Sequence, residues 1–389
     1  MKSSPGLPPL AAYVHLPWCV RKCPYCDFNS HPQRADTRFD SYTDALLADL
    51  QWSLHSLPLR PLRSIFFGGG TPSLCPPEQI GRILQALEHH CGFAPGIEIT
   101  LEANPGTADA AHFSGYRQAG VNRLSIGVQS FANTQLQALG RIHSADQAKH
   151  AFELARSAGF ENINLDLMHG LPGQSVQQAL SDLDQALSLG PEHLSWYELT
   201  LEPNTEFARH PPTLPAEDTL AGIEELGRRK LRAAGFLNYE ISAWARPGRR
   251  AQHNLNYWRY GDFLGLGAGA HSKLSLPDGR IQRLARQKAP SRYQSGAGGP
   301  EVLSQAHTLS PTDRLEEFLL NACRLRDGFS LALFERRSGL PRSTLGPGLR
   351  AAAAQGLLRV QPEHLRPTAL GRRHLNTLLA CFAQTAAAE

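Results

Sequence analysis

Residues 12–31 read AYVHLPWCVRKCPYCDFNSH, a short apolar run followed at once by Cys19, Cys23 and Cys26. The spacing Cys-x3-Cys-x2-Cys, bracketed by Pro17 and Pro24, sets three soft thiolates on one tight loop. Structural zinc sites close with four ligands, commonly through Cys-x2-Cys pairs, so zinc here would need His15 or His31 to complete it. Three thiolates suit a [4Fe–4S] cluster, in which one iron stays open to a small ligand. The chain has seven cysteines, and the remaining four (Cys75, Cys91, Cys323 and Cys381) are scattered and read as small buried hydrophobes. An odd cysteine count with no export signal argues against a disulfide framework.

Outward from that loop, apolar runs alternate with amphipathic segments. Strand candidates are 12–16, 64–67, 97–103, 123–128, 163–168 and 193–199, with apolar spacings of three and four between them, as in YTDALLADLQWSL (42–54). Strand–helix alternation means parallel strands joined by crossovers. With no nucleotide fingerprint after the first strand, six such units favour a partial or complete β/α barrel, whose chemistry sits at the C-terminal strand ends. Polar or glycine-rich residues follow five successive strands: the cysteines, Gly68-Gly69-Gly70-Thr71, Glu102-Ala103-Asn104, Gln129-Ser130, and Asp166 with His169-Gly170. Residues 1–285 are assigned to the barrel and its extension. The Gly-, Ser- and Gln-rich stretch 286–312 is assigned to a linker, and 313–389 to a small, mainly helical domain with a hairpin, winged-helix-like in outline.

Composition is that of an ordinary globular chain: 389 residues, 41% hydrophobic and 19% charged, with 34 Gly and 28 Pro, which excludes collagen-like, low-complexity and disordered classes. No apolar run reaches the roughly 18 residues of a membrane span. The N-terminus has no apolar core ending in a cleavage site, so a cytoplasmic protein is expected. Charge is uneven. Residues 1–200 carry 13 basic and 18 acidic residues (−5) and residues 201–389 carry 26 and 17 (+9), summing to the net +4. That basic half is either a solvated face or a patch for anionic partners; it is too diffuse to argue for nucleic-acid binding.

The cysteine motif with aromatic Tyr25 resembles the signature of the radical S-adenosylmethionine (SAM) superfamily, whose fold is a partial (β/α)6 barrel. Within it, the surrounding residues resemble the coproporphyrinogen dehydrogenase branch. The resemblance implies that Cys19, Cys23 and Cys26 hold the cluster and that SAM chelates its open iron. It also implies SAM contacts from Tyr13, Gly69, Gly70, Thr71, Glu102 (in EANPG), Gln129 (in GVQSF), Arg141 (in LGRIH, facing the SAM carboxylate) and Asp166 (in NLDLMHGLP, taking the ribose hydroxyls). Glycine suits the run after the second strand because a Cβ would block close backbone approach.

Two departures separate the chain from the porphyrin-oxidising members. Those continue the motif to a fourth cysteine, where this sequence has Phe28, and they carry a long N-terminal arm ahead of the first strand. The segments WCVRKCPYCDFNSH, LSWYELTLEPNT and HNLNYW (253–258) instead resemble the HemW haem chaperones, over essentially the whole chain. That family binds haem and passes it on, which implies haem donors and haem-accepting apo-proteins as partners. The expected haem ligand is His253, among Asn254, Tyr257, Trp258 and Tyr260, with Arg249, Arg250 and Arg259 for the propionates. A polar cap with a structural His253 is the alternative, and His15, His169 and His271 are further candidate ligands. No coproporphyrinogen oxidase activity is expected. The rival function is oxidative decarboxylation of coproporphyrinogen III, initiated by a 5′-deoxyadenosyl radical. Homodimerisation and peripheral membrane association are left open.

Overall fold

The computed structural model describes residues 6–383 apart from 56, 59 and 108. Six strands fall on the six apolar runs: β1 (Leu10–Leu16), β2 (Leu62–Gly69), β3 (Phe93–Ala103), β4 (Arg123–Gln129), β5 (Ile163–His169) and β6 (His193–Glu198). Each pairs in parallel with the next in chain order. Most of their residues are buried, on both faces, as in strands covered by crossover helices. The helices between them carry their own start signals. Ser144 and Ser175 open Ala145–Ser157 and Val176–Leu189 with capping boxes completed by Gln147 and Gln178. Helix Pro77–Cys91 buries Ile80, Ile83, Leu84, Leu87 and Cys91, one stripe at spacings of three and four.

The sheet runs further than the six units. Six more strands, β7 (Leu237–Asn238), β8 (Ala243–Ala245), β9 (Asp262–Leu266), β10 (His271–Ser275), β11 (Ile281–Arg286) and β12 (Leu303–Thr308), complete the order β12-β11-β10-β9-β1-β2-β3-β4-β5-β6-β8-β7. β9 is parallel to β1, whereas β10 to β12 and the β7–β8 pair add antiparallel strands at the two ends. Among the described residues the two ends do not pair with each other, so the barrel is partial.

Residues 286–312 are not a linker. They hold the helix Pro290–Gly296 and the edge strand β12, and they bury Arg286 and Tyr293 completely. Arg286 donates through Nη2 to Asp49 Oδ1 (3.1 Å) and Ser53 Oγ (2.8 Å), and Tyr293 donates to Asp49 Oδ2 (3.0 Å). Composition misleads here because a few buried side chains, not the Gly- and Ser-rich remainder, anchor the stretch. The small domain follows, with helices Pro311–Ala322, Leu331–Ser338 and Gly346–Ala354 and a hairpin of Leu358–Val360 and His364–Pro367. Its core continues into the sheet extension through Tyr260 and Ile281. No described helix is long and apolar enough to cross a membrane.

Both partners of the Arg286–Asp49 pair are fully buried. Asp49→Ala leaves the guanidinium without its carboxylate, and removing one partner of a buried pair costs about 3–5 kcal/mol. A urea titration is expected to show a loss of that order; a loss below about 1 kcal/mol, the worth of an exposed pair, would contradict the assignment.

Candidate functional site

The C-terminal ends of β1 to β5 meet around a cavity of about 310 Å3. Its wall includes Cys19, Cys23, Cys26, Gly69, Gly70, Thr71, Glu102, Gln129, Arg141 and Asp166, which come from separate units of the chain. The thiol loop is pinned at its base, where Trp18–Cys19 pairs with His31–Pro32. The Cys26 N–H donates to the Cys23 carbonyl (3.1 Å), closing a turn between the second and third cysteines. Asn29 fastens the far side: its Nδ2 donates to the carbonyls of Ala268 and Lys288 (both 2.9 Å), and its own carbonyl accepts from His15 Nε2 (2.9 Å).

The thiols suit a cluster better than a single ion. Among the described residues no three His, Cys, Asp or Glu side chains converge as ligands of one metal. The three sulfurs instead border a shared cavity, as they must when each binds a different iron. Burial pushes the Cys19 thiol up, with the neighbouring Cys26 adding to it, so metal binding there must displace a proton. His15 is occupied through both ring nitrogens, by Tyr13 and Asn29, and His31 Nε2 lies 3.3 Å from Asn29 Oδ1.

Close backbone approach explains the glycines. The Gly70 N–H donates to the Leu16 carbonyl (2.8 Å) and the Thr71 N–H to the Trp18 carbonyl (2.7 Å). A Cβ on Gly69 would lie 2.7 Å from the Leu16 oxygen, and one on Gly70 2.7 Å from the Pro17 oxygen. Gly69 also takes φ +125°, which side chains rarely adopt.

Polar groups of both signs face the same space. Burial, reinforced by the Asp166 carboxylate, pushes the Glu102 carboxyl up to about 8, against one hydrogen bond from the Gly69 N–H that pulls the other way. Burial also raises Asp166, although Asn164 and Ser125 donate to it at 2.8 and 3.1 Å. Arg141 donates to Cys23 Sγ (3.6 Å) and the Gly127 carbonyl (2.9 Å), while its buried Nε has no partner. Two buried carboxyls and one under-satisfied guanidinium match a ligand that carries both a cation and a carboxylate. SAM is such a ligand, and bound beside a cluster it would supply reductive sulfonium cleavage. Of this chain's residues, Glu102 would face its positive charge, Arg141 its carboxylate and Asp166 its ribose hydroxyls.

Two expected residues lie elsewhere. Tyr13 is in the wall of an adjoining cavity, its hydroxyl 3.0 Å from His15 Nδ1. His253 is 2% exposed near the start of β2, with Nδ1 3.0 Å from Ser64 Oγ and Nε2 3.1 Å from the Tyr257 hydroxyl. Phe66 stacks on its ring, and burial lowers its pKa to about 3. Both nitrogens are therefore hydrogen-bonded inside the protein, in the arrangement of a structural histidine.

Tyr197 and Ser125 were not singled out from the sequence, yet both line the thiol cavity, and the Tyr197 hydroxyl donates to Gln129 Oε1 (2.8 Å). The signal was alternation: Ser125 and Gln129 on β4, Asn164 and Asp166 on β5, and His193, Ser195 and Tyr197 on β6 recur every second residue, so each set faces the barrel interior. Gln129 holds φ +68°, unusual outside glycine, at the C-terminal end of its strand.

Comparison with known proteins agrees with this geometry. The Radical SAM superfamily matches residues 13–186 and the HemN C-terminal domain residues 309–374. A protein of Haemophilus influenzae named heme chaperone HemW is 47% identical over 97% of this chain and 99% of its own. Its namesake in Escherichia coli is 46% identical over 97% and 98%. The chain belongs to the HemW family of radical SAM proteins. A solved relative, the E. coli coproporphyrinogen III oxidase HemN, matches this HemW family member with a TM-score of 0.81, covering 97% of this chain and 90% of that one. At 23% identity that likeness speaks for the shared fold.

Two outcomes are expected at this site. After anaerobic reconstitution, the protein should show the broad visible absorbance of an iron–sulfur cluster, and Cys19→Ala, Cys23→Ala or Cys26→Ala should abolish it. A stable site that takes zinc but never iron–sulfur would refute the assignment. Glu102, with its carboxyl raised above the unfolded value, is protonated at neutral pH in the ligand-free protein, and the fixed sulfonium charge of SAM favours its ionised form. SAM affinity, measured by calorimetry across a pH series, should therefore rise toward pH 8 by up to about tenfold per unit and then level off. Glu102→Gln should flatten that profile, and an unchanged slope in the variant would exclude Glu102 as its source.

Proposed function

We propose that this protein is a haem chaperone: it binds haem and delivers it to haem-requiring proteins from a scaffold that retains a [4Fe–4S] cluster and SAM. The supporting observation is its near-half identity, end to end, to proteins named heme chaperone HemW. The site adds a physical reason. At the position where the oxidases continue their cysteine motif, Phe28 is 60% exposed and lines both the thiol cavity and its neighbour. An exposed aromatic ring offers apolar area to a flat macrocycle. Donors of haem and apo-haemoproteins are its partners in this reading, and its location is the cytoplasm.

Porphyrinogen oxidation demands more than radical machinery. The substrate's propionate side chain must be held within reach of the reacting centre, and positioning of that kind dominates such rates. With cluster, SAM and reductant supplied, the protein should not convert coproporphyrinogen III to protoporphyrinogen IX. Haem preloaded on it should move to an apo-haemoprotein, and the Cys23→Ala variant should fail in that transfer. Sustained vinyl-group formation over many turnovers would overturn the chaperone reading in favour of the oxidase.

A further inference from the structure

Asp166 faces the thiol cavity, but the groups that hold it lie behind that wall. Three strands set polar side chains in register on their inner face: Ser125 on β4 is opposite Asn164 on β5, which is opposite His193 on β6. Asn164 and His193 are each 1% exposed and line neither cavity.

The hydrogen bonds among them have one consistent direction. Asn164 uses its whole amide: Oδ1 accepts from His193 Nδ1 (2.6 Å) and Ser195 Oγ (3.1 Å), and Nδ2 donates to Ser125 Oγ (2.7 Å) and Asp166 Oδ1 (2.8 Å). Ser125 donates its own hydroxyl to Asp166 Oδ2 (3.1 Å). Because an amide oxygen only accepts, His193 carries its proton on Nδ1. Its Nε2 then accepts from the Tyr239 hydroxyl (2.9 Å), which in turn accepts the Ala251 N–H (3.3 Å) at the head of the helix Gln252–Trp258. Burial, reinforced by the Arg123 charge, pushes the His193 pKa well down, so the ring is neutral and one tautomer satisfies both neighbours. Tyr239 is anchored in its turn, since the Arg326 N–H of the small domain donates to its carbonyl (3.0 Å).

We propose that His193 is a positioning residue of the SAM site: acting through Asn164, it fixes the Asp166 carboxylate for a ribose diol, and Tyr239 selects the His193 tautomer that does so. This rests on the SAM reading of the thiol cavity and adds two residues that touch no ligand. The Nδ1 proton keeps the Asn164 oxygen turned toward His193 and its NH2 turned toward Asp166. A reversed amide would aim an oxygen at the carboxylate and take one of its donors away. A buried carboxylate short of donors shifts or takes up a proton, and in either state it is a poorer acceptor for two hydroxyls.

The test is a double-mutant cycle, read by calorimetric titration of SAM into the full-length, cluster-reconstituted protein. His193→Leu should weaken SAM binding by about threefold to tenfold. Tyr239→Phe, which deletes one hydroxyl outside both cavity walls, should weaken it in the same direction. In an Asp166→Asn background the same two changes should add no further loss, because the group they act on has been replaced. His193→Asn, which keeps an N–H near the Nδ1 position, should restore most of the affinity lost in His193→Leu. Unchanged affinity in both single variants, or an equal further loss in the Asp166→Asn background, would overturn the positioning role while leaving the SAM reading in place. Wild-type affinity in Asp166→Asn alone would overturn it together with the role of Asp166, and failure of the wild-type chain to bind SAM would overturn the SAM reading as well.

Discussion

The thiol loop and the end of β2 approach so closely that side chains are excluded between them. The Gly70 and Thr71 N–H groups donate to the Leu16 and Trp18 carbonyls, and at Gly69 and Gly70 a Cβ would meet carbonyl oxygens of that opposing chain. This backbone contact holds three cysteines against a rim that also carries Glu102 and Asp166. The same loop, through Asn29, reaches the opposite side of β1 and the β9–β10 turn. One short segment therefore braces two cavities.

The basic surplus of the second half has a partly internal explanation. Lys273, fully buried, pairs with Asp262, which also pairs with Arg60; Arg286 pairs with Asp49; and Arg283 and Arg324 pair with Glu317 and Glu240. These pairs knit the antiparallel extension and the small domain to the barrel. For the fully buried pairs, desolvation offsets much of the mutual attraction, whereas losing one partner leaves an uncompensated buried charge. A diffuse positive patch for anionic partners accounts for fewer of these residues than the sequence count suggests.

Much of the scaffold was legible in the sequence because parallel strands, buried on both faces, read as short unbroken apolar runs bounded by turn residues. All six such strands lie where the runs are, and ten of the twelve expected cluster, SAM and haem residues border one cavity. What failed depended on distant partners. Residues 286–312 look like a linker until Asp49, more than 200 positions earlier, is seen to bind Arg286 and Tyr293. His253 sits in a motif rich in aromatics and arginines, yet whether its ring faces a cavity or Ser64 is decided by the placement of β2. Tyr197 escaped notice because a tyrosine in an apolar run reads as core unless the two-residue period is followed through Ser195 and His193.

A haem chaperone that retains a radical SAM site must bind haem on the scaffold that holds the cluster and SAM. This is tested most directly by titrating haem into cluster-reconstituted protein with and without SAM. The result expected of a haem chaperone is saturable, near-stoichiometric haem binding whose spectrum or affinity changes when SAM is present. Haem binding that is weak and unsaturable, or wholly indifferent to SAM and to loss of the cluster, would contradict it.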